Sequence, residues 1–477
     1  MQEFGILTPA VIAELEAIVG RKQVTVDRDK LEAYSHDETP RERYAHMPDA
    51  AVLPASTDEV AAVVALALRE RIPITPRGAG SGLSGGAIPV FGGIVLSLER
   101  MNRILEIDRE NMVAVVEPGV ITNSINDAVA PDGLFFAGYP MSVETCFVGG
   151  NVAENAGGGR AVKYGVTGRY VLGMEVVTPT AKVLHLGGKR VKDVTGYDLK
   201  QLFVGSEGTL GIVTKVIIRL LPLPKHTCTL LVLFPDPKSA ISAVPAIMTG
   251  ARVIPTSLEF MDRLAFDTAC RYLNDPLDYG AAGAMLLVEV DGADREEVDR
   301  EAEQMGEICM SRGAMEVYVA DNRTTRDRVW AIRRNIAEAF ITDVPLRGIE
   351  DFVVPISAIP ELVDEVTRIS EKSGILMPNY GHAGDGNLHV TLVKPPELTP
   401  EQWYAREDEA LGELYAIVKR LGGTLSGEHG IGCKRREWLE EFVGREEYEL
   451  MRSIKELLDP AGIMNPGKMF ERSSPPA

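Results

Sequence analysis

Residues 77–93 read RGAGSGLSGGAIPVFGG, a glycine-rich stretch that follows the short run ITP at 74–76 and leads into IVLSL at 94–98. Backbone N–H groups that no side chain shields form concave anion sites, so residues 77–86 could cradle a pyrophosphate. A tight loop without a ligand has the same composition. Gly80-Ser81-Gly82-Leu83-Ser84-Gly85 matches G-x-G-x-x-G, but a Rossmann fingerprint needs a helix directly after it, and Gly86, Pro89 and Gly92-Gly93 follow instead. The same missing helix removes Gly82-Leu83-Ser84-Gly85-Gly86 as a nucleophile elbow. GIMNPGK at 462–468 imitates a P-loop, yet Met469 stands where a Mg²⁺-binding Ser or Thr is required, and Pro466 removes a phosphate-binding N–H. A nicotinamide Rossmann site, a serine hydrolase and an NTPase are set aside on these grounds.

Outward from this loop, Thr57 reads as the N-cap of a helix running to about residue 71, with Asp58 and Glu59 in its first turn, and 72–75 as a short strand. Thr8, Pro9, the apolar Val11, Leu15, Ile18 and Val19, and Gly20 mark an N-terminal helix. Strands at 94–98, 113–117 and 175–178, separated by further glycines, predict an α+β domain of short strands. Leu220-Leu221-Pro222-Leu223-Pro224 closes it. Beyond, strands at 230–234, 285–290, 315–319, 352–354 and 389–393 alternate with amphipathic helices near 236–250, 294–312, 357–373 and 399–421, the pattern of a second α+β domain with an antiparallel sheet. In the helix at 294–312, Val298, Ala302, Met305 and Cys309 recur at helical spacing and read as a packing face. The expected divisions are 1–45, 46–224, 225–425, 426–470 and a frayed tail at 471–477.

The 477 residues suggest about three folding units, and 45% apolar with 25% charged residues is globular composition, which excludes fibrous, disordered and disulfide-scaffold classes. Fifty Lys and Arg against 69 Asp and Glu give a net charge of −19, which disfavours nucleic acid and anionic membrane surfaces. The longest apolar run, 60–68, is far short of the roughly 20 residues of a transmembrane helix. The start of the sequence lacks a signal pattern, so a cytoplasmic location is expected. Cys146, Cys228, Cys270, Cys309 and Cys433 form no C-x-x-C pair, which argues against iron–sulfur or zinc-thiolate clusters and for buried free thiols.

Chemistry concentrates in two segments, GHAGDGNLH at 381–389 and SGEHGIG at 426–432. With Asp385-Gly386 as a hairpin turn, His382 falls opposite His389 on one face, Cβ atoms about 5 Å apart, close enough to share an ion. Glu428 or His429 would complete three protein ligands and leave an open position, as in a catalytic site. A lone histidine is more often a satisfied core residue. N/N/O donors suit zinc, iron or manganese. Such an ion would chelate the hydroxyl and carboxylate of an α-hydroxy acid while a neighbouring imidazole takes the hydroxyl proton. Arg333, in VWAIRR at 329–334, could grip a carboxylate or form a surface salt bridge.

In order, PRGAGSGLSGG (76–86), VEPGV (116–120), VGGNVAENAGG (148–158), KYGVT (163–167), GYDL (196–199), VGSEGTLGIVT (204–214), GHAGDGNLH, SGEHGIG and NPGK (465–468) resemble the FAD-linked oxidases of the vanillyl-alcohol oxidase type. Within them the chain resembles the group of D-lactate dehydrogenases, glycolate oxidase flavin subunits and D-2-hydroxyglutarate dehydrogenases, from about residue 40 to 470. The resemblance implies an α+β fold: a two-subdomain FAD-binding module of short mixed sheets with helices at 46–224, a substrate cap with an antiparallel sheet at 225–425, and a C-terminal segment at 426–470 returning to the flavin. It sets the FAD pyrophosphate against Arg77, Gly78, Ala79, Gly80, Ser81 and Gly82. The rest of the cofactor falls to Pro140, Met141, Ser142, Gly150, Asn151, Asn155, Gly157, Glu207, Gly208, Ile212 and Asn465. It makes His382, His389 and Glu428 ligands of a divalent metal, His429 the base and Arg333 a substrate-carboxylate contact.

Three departures qualify the resemblance. Gly138-Tyr139-Pro140-Met141-Ser142 differs from the Pro-Asp segment of many relatives, and Ala337 and Ile349 replace a threonine and a lysine of the hydroxyglutarate enzymes, which weakens a dicarboxylate substrate. No His or Cys stands in the pyrophosphate loop for covalent attachment, so FAD is expected to be non-covalent. The implied activity is oxidation of a small D-2-hydroxy acid, D-lactate before glycolate, by hydride transfer to flavin N5. An external acceptor would reoxidise the flavin: an electron-transferring flavoprotein, an iron–sulfur subunit, a cytochrome or a quinone. Rival readings are a same-fold flavoprotein with a non-oxidative reaction such as alkyl-glycerone-phosphate synthesis, a metallohydrolase on His382, His389 and Glu428, and a non-catalytic electron-transfer or scaffold subunit.

Overall fold

The computed structural model describes residues 3–275, 279–320, 322–344 and 346–471, so residues 472–477 of the expected tail lie outside the described residues. The chain forms two units. The first comprises Met1–Gly157, Val166–Leu223 and Glu428–Ala477, the second Gly158–Gly165 and Pro224–Gly427. The architecture is α+β.

In the first unit the helix Pro9–Val19 starts where Thr8 accepts a 3.3 Å bond from the Val11 N–H, carries proline in its first turn, and buries Val11, Leu15 and Val19. Those side chains join a core that includes Val60, Val63, Val64 and Ala67 of the helix Thr57–Glu70. Its N-cap is Ser56, not Thr57: Ser56 Oγ accepts from the Glu59 N–H, while the Thr57 hydroxyl donates to the Glu175 carboxylate at 2.5 Å. A mixed four-stranded sheet runs in the order Val24–Thr25, Ala50–Val52, Ile94–Ser97, Ile74–Arg77, the last three parallel. The strand expected at 72–75 is thus displaced toward the glycine-rich loop. An antiparallel five-stranded sheet follows the order Ile104–Asp108, Val113–Val116, Ile212–Arg219, Val171–Val177, Val183–Gly187. Its central strands are rich in Val and Ile, and each such side chain, fully buried, contributes about 1.5–3 kcal/mol.

The second unit is built on an antiparallel seven-stranded sheet in the order Glu316–Ala320, His226–Phe234, Ala284–Gly292, Ser257–Asp262, Asn379–Gly381, Asn387–Val393, Arg347–Val353. Helices Pro237–Gly250, Arg295–Ser311, Ile359–Ser373 and Pro400–Arg420 present apolar stripes; Val298, Ala302, Met305 and Cys309 are buried as one face. Gly158–Gly165 belongs to this unit by contact. Lys163 Nζ pairs with Asp291 at 2.5 Å, the Tyr164 hydroxyl donates to the same carboxylate at 2.9 Å, and Arg160 reaches Glu289 at 3.3 Å. All five cysteines are free thiols, four buried and Cys433 half-buried. Among the described residues no helix is long and apolar enough to cross a membrane.

Candidate active site

In the first unit the glycine-rich loop leaves the strand Ile74–Arg77. The Arg77 guanidinium packs against Gly80 of this loop, where an added Cβ would stand 2.1 Å from its Nη2, and donates to the His36 and Ala33 carbonyls at 2.7 and 3.1 Å; burial lowers its pKa. Gly78, Ala79, Gly80, Ser81 and Gly82 stay half-buried, and Gly78 lies against Gly150. Gly150 and Asn151 sit in the helix Val148–Glu154, and Asn155 caps its C-terminus in a left-handed conformation. Asn151 donates to Thr122 at 2.7 Å, while Asn155 Oδ1 accepts from the Gly168 N–H at 2.8 Å. Pro140, Met141 and Ser142 lie in the turn before this helix, with Ser142 exposed. Gly157 is buried, Gly208 follows Glu207, and the buried Ile212 opens its strand.

The C-terminal segment packs on this framework. Asn465 donates to the Gly86 and Glu207 carbonyls at 3.0 and 2.7 Å, and Lys468 to the Ile88 carbonyl at 2.5 Å. At Gly432, φ is +54° and an added Cβ would lie 2.0 Å from the Ser84 carbonyl, so only glycine permits the approach. Asn155, Glu207 and Asn465 hold φ of 54°, 51° and 43°, conformations that non-glycine residues keep only where surroundings enforce them. Ser84 Oγ and Asn465 Oδ1 are buried without a hydrogen-bond partner among the described residues. A backbone-lined loop beside orphaned polar atoms fits a polar dinucleotide cofactor such as FAD.

In the second unit, His389 lies on the strand Asn387–Val393 and pairs in register with Tyr380, not with His382. His382 follows the strand Asn379–Gly381 and precedes a 3₁₀ turn at Ala383–Asp385. This turn, closed by Gly386 at φ +88°, lengthens the connection beyond the two-residue turn expected, and the Asn387 N–H bonds the His382 carbonyl at 3.1 Å. The histidines are therefore diagonal neighbours on one face. Their rings meet edge-on with centroids 5.4 Å apart, and both are buried. Asp351 accepts from Ser426 Oγ and the Gly427 N–H, each at 2.9 Å, which fixes the backbone from which Glu428 follows. One ligand atom each from His382, His389 and Glu428 lies within 4.8 Å of the others, a donor set that fits zinc, iron or manganese. His429 Nε2 is 3.5 Å from Glu428 Oε1.

Arg333 is not on the surface. It is 5% exposed, on the buried face of the helix Arg323–Arg334, and donates through Nε to Glu259 at 2.7 Å. Glu259, which no sequence motif flagged, also contacts His382 Nδ1 at 2.7 and 2.8 Å. Burial pushes this carboxyl up, but His382 and Arg333 outweigh it and hold Glu259 below the usual carboxylate range. Its one visible signal was an acid in the apolar strand SLEFMD. Ala337 is half-buried on the helix Ile336–Asp343, and Ile349 is buried opposite Thr391.

A glycine-lined cofactor cradle in one α+β unit and an antiparallel sheet with buried histidines in the other define a flavin-dependent oxidoreductase class. The FAD-binding domain family matches residues 48–187, and the C-terminal domain of FAD-linked oxidases matches 223–469. The chain belongs to the FAD-linked oxidase family. It is 41% identical over 441 residues to glycolate oxidase subunit GlcD of Bacillus subtilis, covering 92% of each chain. To D-lactate dehydrogenase of Anaerostipes hadrus it is 36% identical over 472 residues, covering 98% of each. The fold matches solved p-cresol methylhydroxylase with a TM-score of 0.79 at 21% identity, covering 96% of both chains.

Proposed function

We propose that the protein is an FAD- and divalent-metal-dependent dehydrogenase that oxidises a small D-2-hydroxy acid, D-lactate before glycolate, to the 2-oxo acid. The observation that carries this reading is the His382, His389 and Glu428 donor set with His429 beside it, in a chain whose relatives are named for glycolate and D-lactate. When bound, FAD supplies a hydride acceptor and the divalent ion a Lewis acid for the substrate hydroxyl and carboxylate.

The chain's own residues divide the remaining work. His382, His389 and Glu428 would hold the ion. The loop at 77–82, with Pro140, Met141, Ser142, Gly150, Asn151, Asn155, Gly157, Glu207, Gly208, Ile212 and Asn465, would hold FAD without a covalent link. His429 removes the proton from the substrate hydroxyl oxygen as the general base. Arg333, with Nε committed to Glu259, keeps its terminal nitrogens for the substrate carboxylate. Ala337 and Ile349 favour a monocarboxylate over a dicarboxylate. With no C-x-x-C pair in the sequence to hold a cluster, the electrons go to an external acceptor, an electron-transferring flavoprotein or an iron–sulfur subunit.

The test is an anaerobic visible titration of the purified holoprotein with D-lactate, L-lactate, glycolate and D-2-hydroxyglutarate. Bleaching of the flavin bands by D-lactate, and more weakly by glycolate, is expected. A flavin spectrum indifferent to all four removes the hydroxy-acid assignment and favours a non-oxidative reaction on the same fold.

A further inference from the structure

Glu259 is wholly buried in the strand Ser257–Asp262, among Leu258, Phe260 and Met261, where nothing in a sheet requires an acid. A carboxylate shut off from water is retained only where its partners compensate it. Here there are two. Its oxygens lie 2.7 and 2.8 Å from His382 Nδ1, and Oε2 also accepts from Arg333 Nε at 2.7 Å. An ionised carboxylate only accepts hydrogen bonds, so Nδ1 carries the hydrogen, and in the neutral ring that a metal requires the lone pair is then on Nε2. The 3.5 Å approach of Arg333 Nη2 to His382 Nδ1 then joins two donors and is not a hydrogen bond.

We propose that Glu259 is a positioning residue for the metal centre: it holds His382 as the Nδ1–H tautomer, with Nε2 as the ligating nitrogen, and Arg333 balances its charge. This rests on the reading of His382, His389 and Glu428 as metal ligands. A carboxylate behind a ligating histidine sets the ring's orientation and raises its basicity, and losing it costs about 10–100-fold in metal affinity. Arg333 thereby has a structural duty at the metal site separate from any contact with substrate.

The test is titration of the chelator-treated, flavin-replete protein with Co²⁺, following its visible ligand-field bands, in wild type and in Glu259→Gln. The glutamine variant is expected to bind Co²⁺ about 10–100-fold more weakly with unchanged flavin content and far-UV circular dichroism. A merely structural Glu259 would lower the thermal midpoint and leave Co²⁺ affinity where it was, which overturns the proposal. Wild type that takes up no Co²⁺ would overturn the metal reading beneath it as well. Should Glu259→Gln not fold, ¹⁵N-histidine NMR of Zn²⁺-loaded wild type decides: a protonated Nδ1 with metal-bound Nε2 on His382 supports the role, and a protonated Nε2 ends it.

Discussion

Glu207 Oε2 accepts a 2.7 Å hydrogen bond from the backbone N–H of Gly432, joining residues 225 positions apart. Oε1 takes the Ile431 N–H at 2.7 Å, so a single buried carboxylate ties the 204–211 loop to the C-terminal segment. Burial pushes this carboxyl up and the two N–H groups oppose that shift. In Glu207→Gln an amide NH₂ must face one of two backbone donors. The expected loss is about 1–3 kcal/mol of stability, with weaker FAD retention, read by urea denaturation and by flavin released on gel filtration. A variant as stable and as yellow as wild type would contradict the role given to this carboxylate.

Gly386 closes the turn between His382 and His389 at φ +88°, and an added Cβ would stand 2.1 Å from the Val354 carbonyl. Gly386→Ala should cost upward of about 1–2 kcal/mol from the left-handed conformation alone. The strain falls on the connection that carries both histidines. Metal content by elemental analysis is expected to fall while FAD content, set by residues of the other unit, stays at wild-type level.

His429 is assigned the hydroxyl proton. His429→Asn should slow flavin reduction by D-lactate about 10²–10⁴-fold in anaerobic stopped-flow, with flavin spectrum and Co²⁺ affinity unchanged. Wild-type reduction rates in this variant would remove His429 from the mechanism.

Lys468 is 2% exposed, and burial pushes its ammonium pKa from 10.5 down to about 8. Below pH 8 both folded and unfolded chains hold this proton. Between about 8 and 10.5 the unfolded chain holds it and the folded chain does not, so stability rises with pH across that window. The full increment is about 3 kcal/mol. Urea denaturation of the flavin-free protein at pH 7.5, 9 and 10.5 should show it in wild type and not in Lys468→Met; parallel pH profiles would refute it.

What the sequence makes legible here is what closes locally. The helix Pro9–Val19 is readable because Thr8, Pro9 and Gly20 act within a turn of its ends. One residue goes astray at Ser56, because the Thr57 hydroxyl answers to Glu175, 118 positions away, and no local rule registers that pull. The shared face of His382 and His389 follows from period-two alternation, but their register does not, because the turn at Ala383–Asp385 adds residues that an Asp-Gly pair does not announce. Arg333 falls on the same helix face as the buried Trp330, and its burial depends on Glu259 from a strand 74 positions earlier. Glu259 itself is 123 positions from His382, a distance at which spacing carries no information.

The short segment Gly158–Gly165 makes the second unit a discontinuous module. Recombination that transplants Pro224–Gly427 onto another flavin-binding domain would carry buried Asp291 into the hybrid stripped of Lys163 and Tyr164, while Glu289 would lose Arg160 but keep Thr229 and Trp330. Asp291 would then need partners from a foreign chain. A workable chimera must move both pieces together, and any crossover placed between residues 165 and 224 splits one inheritable block into two halves that do not match.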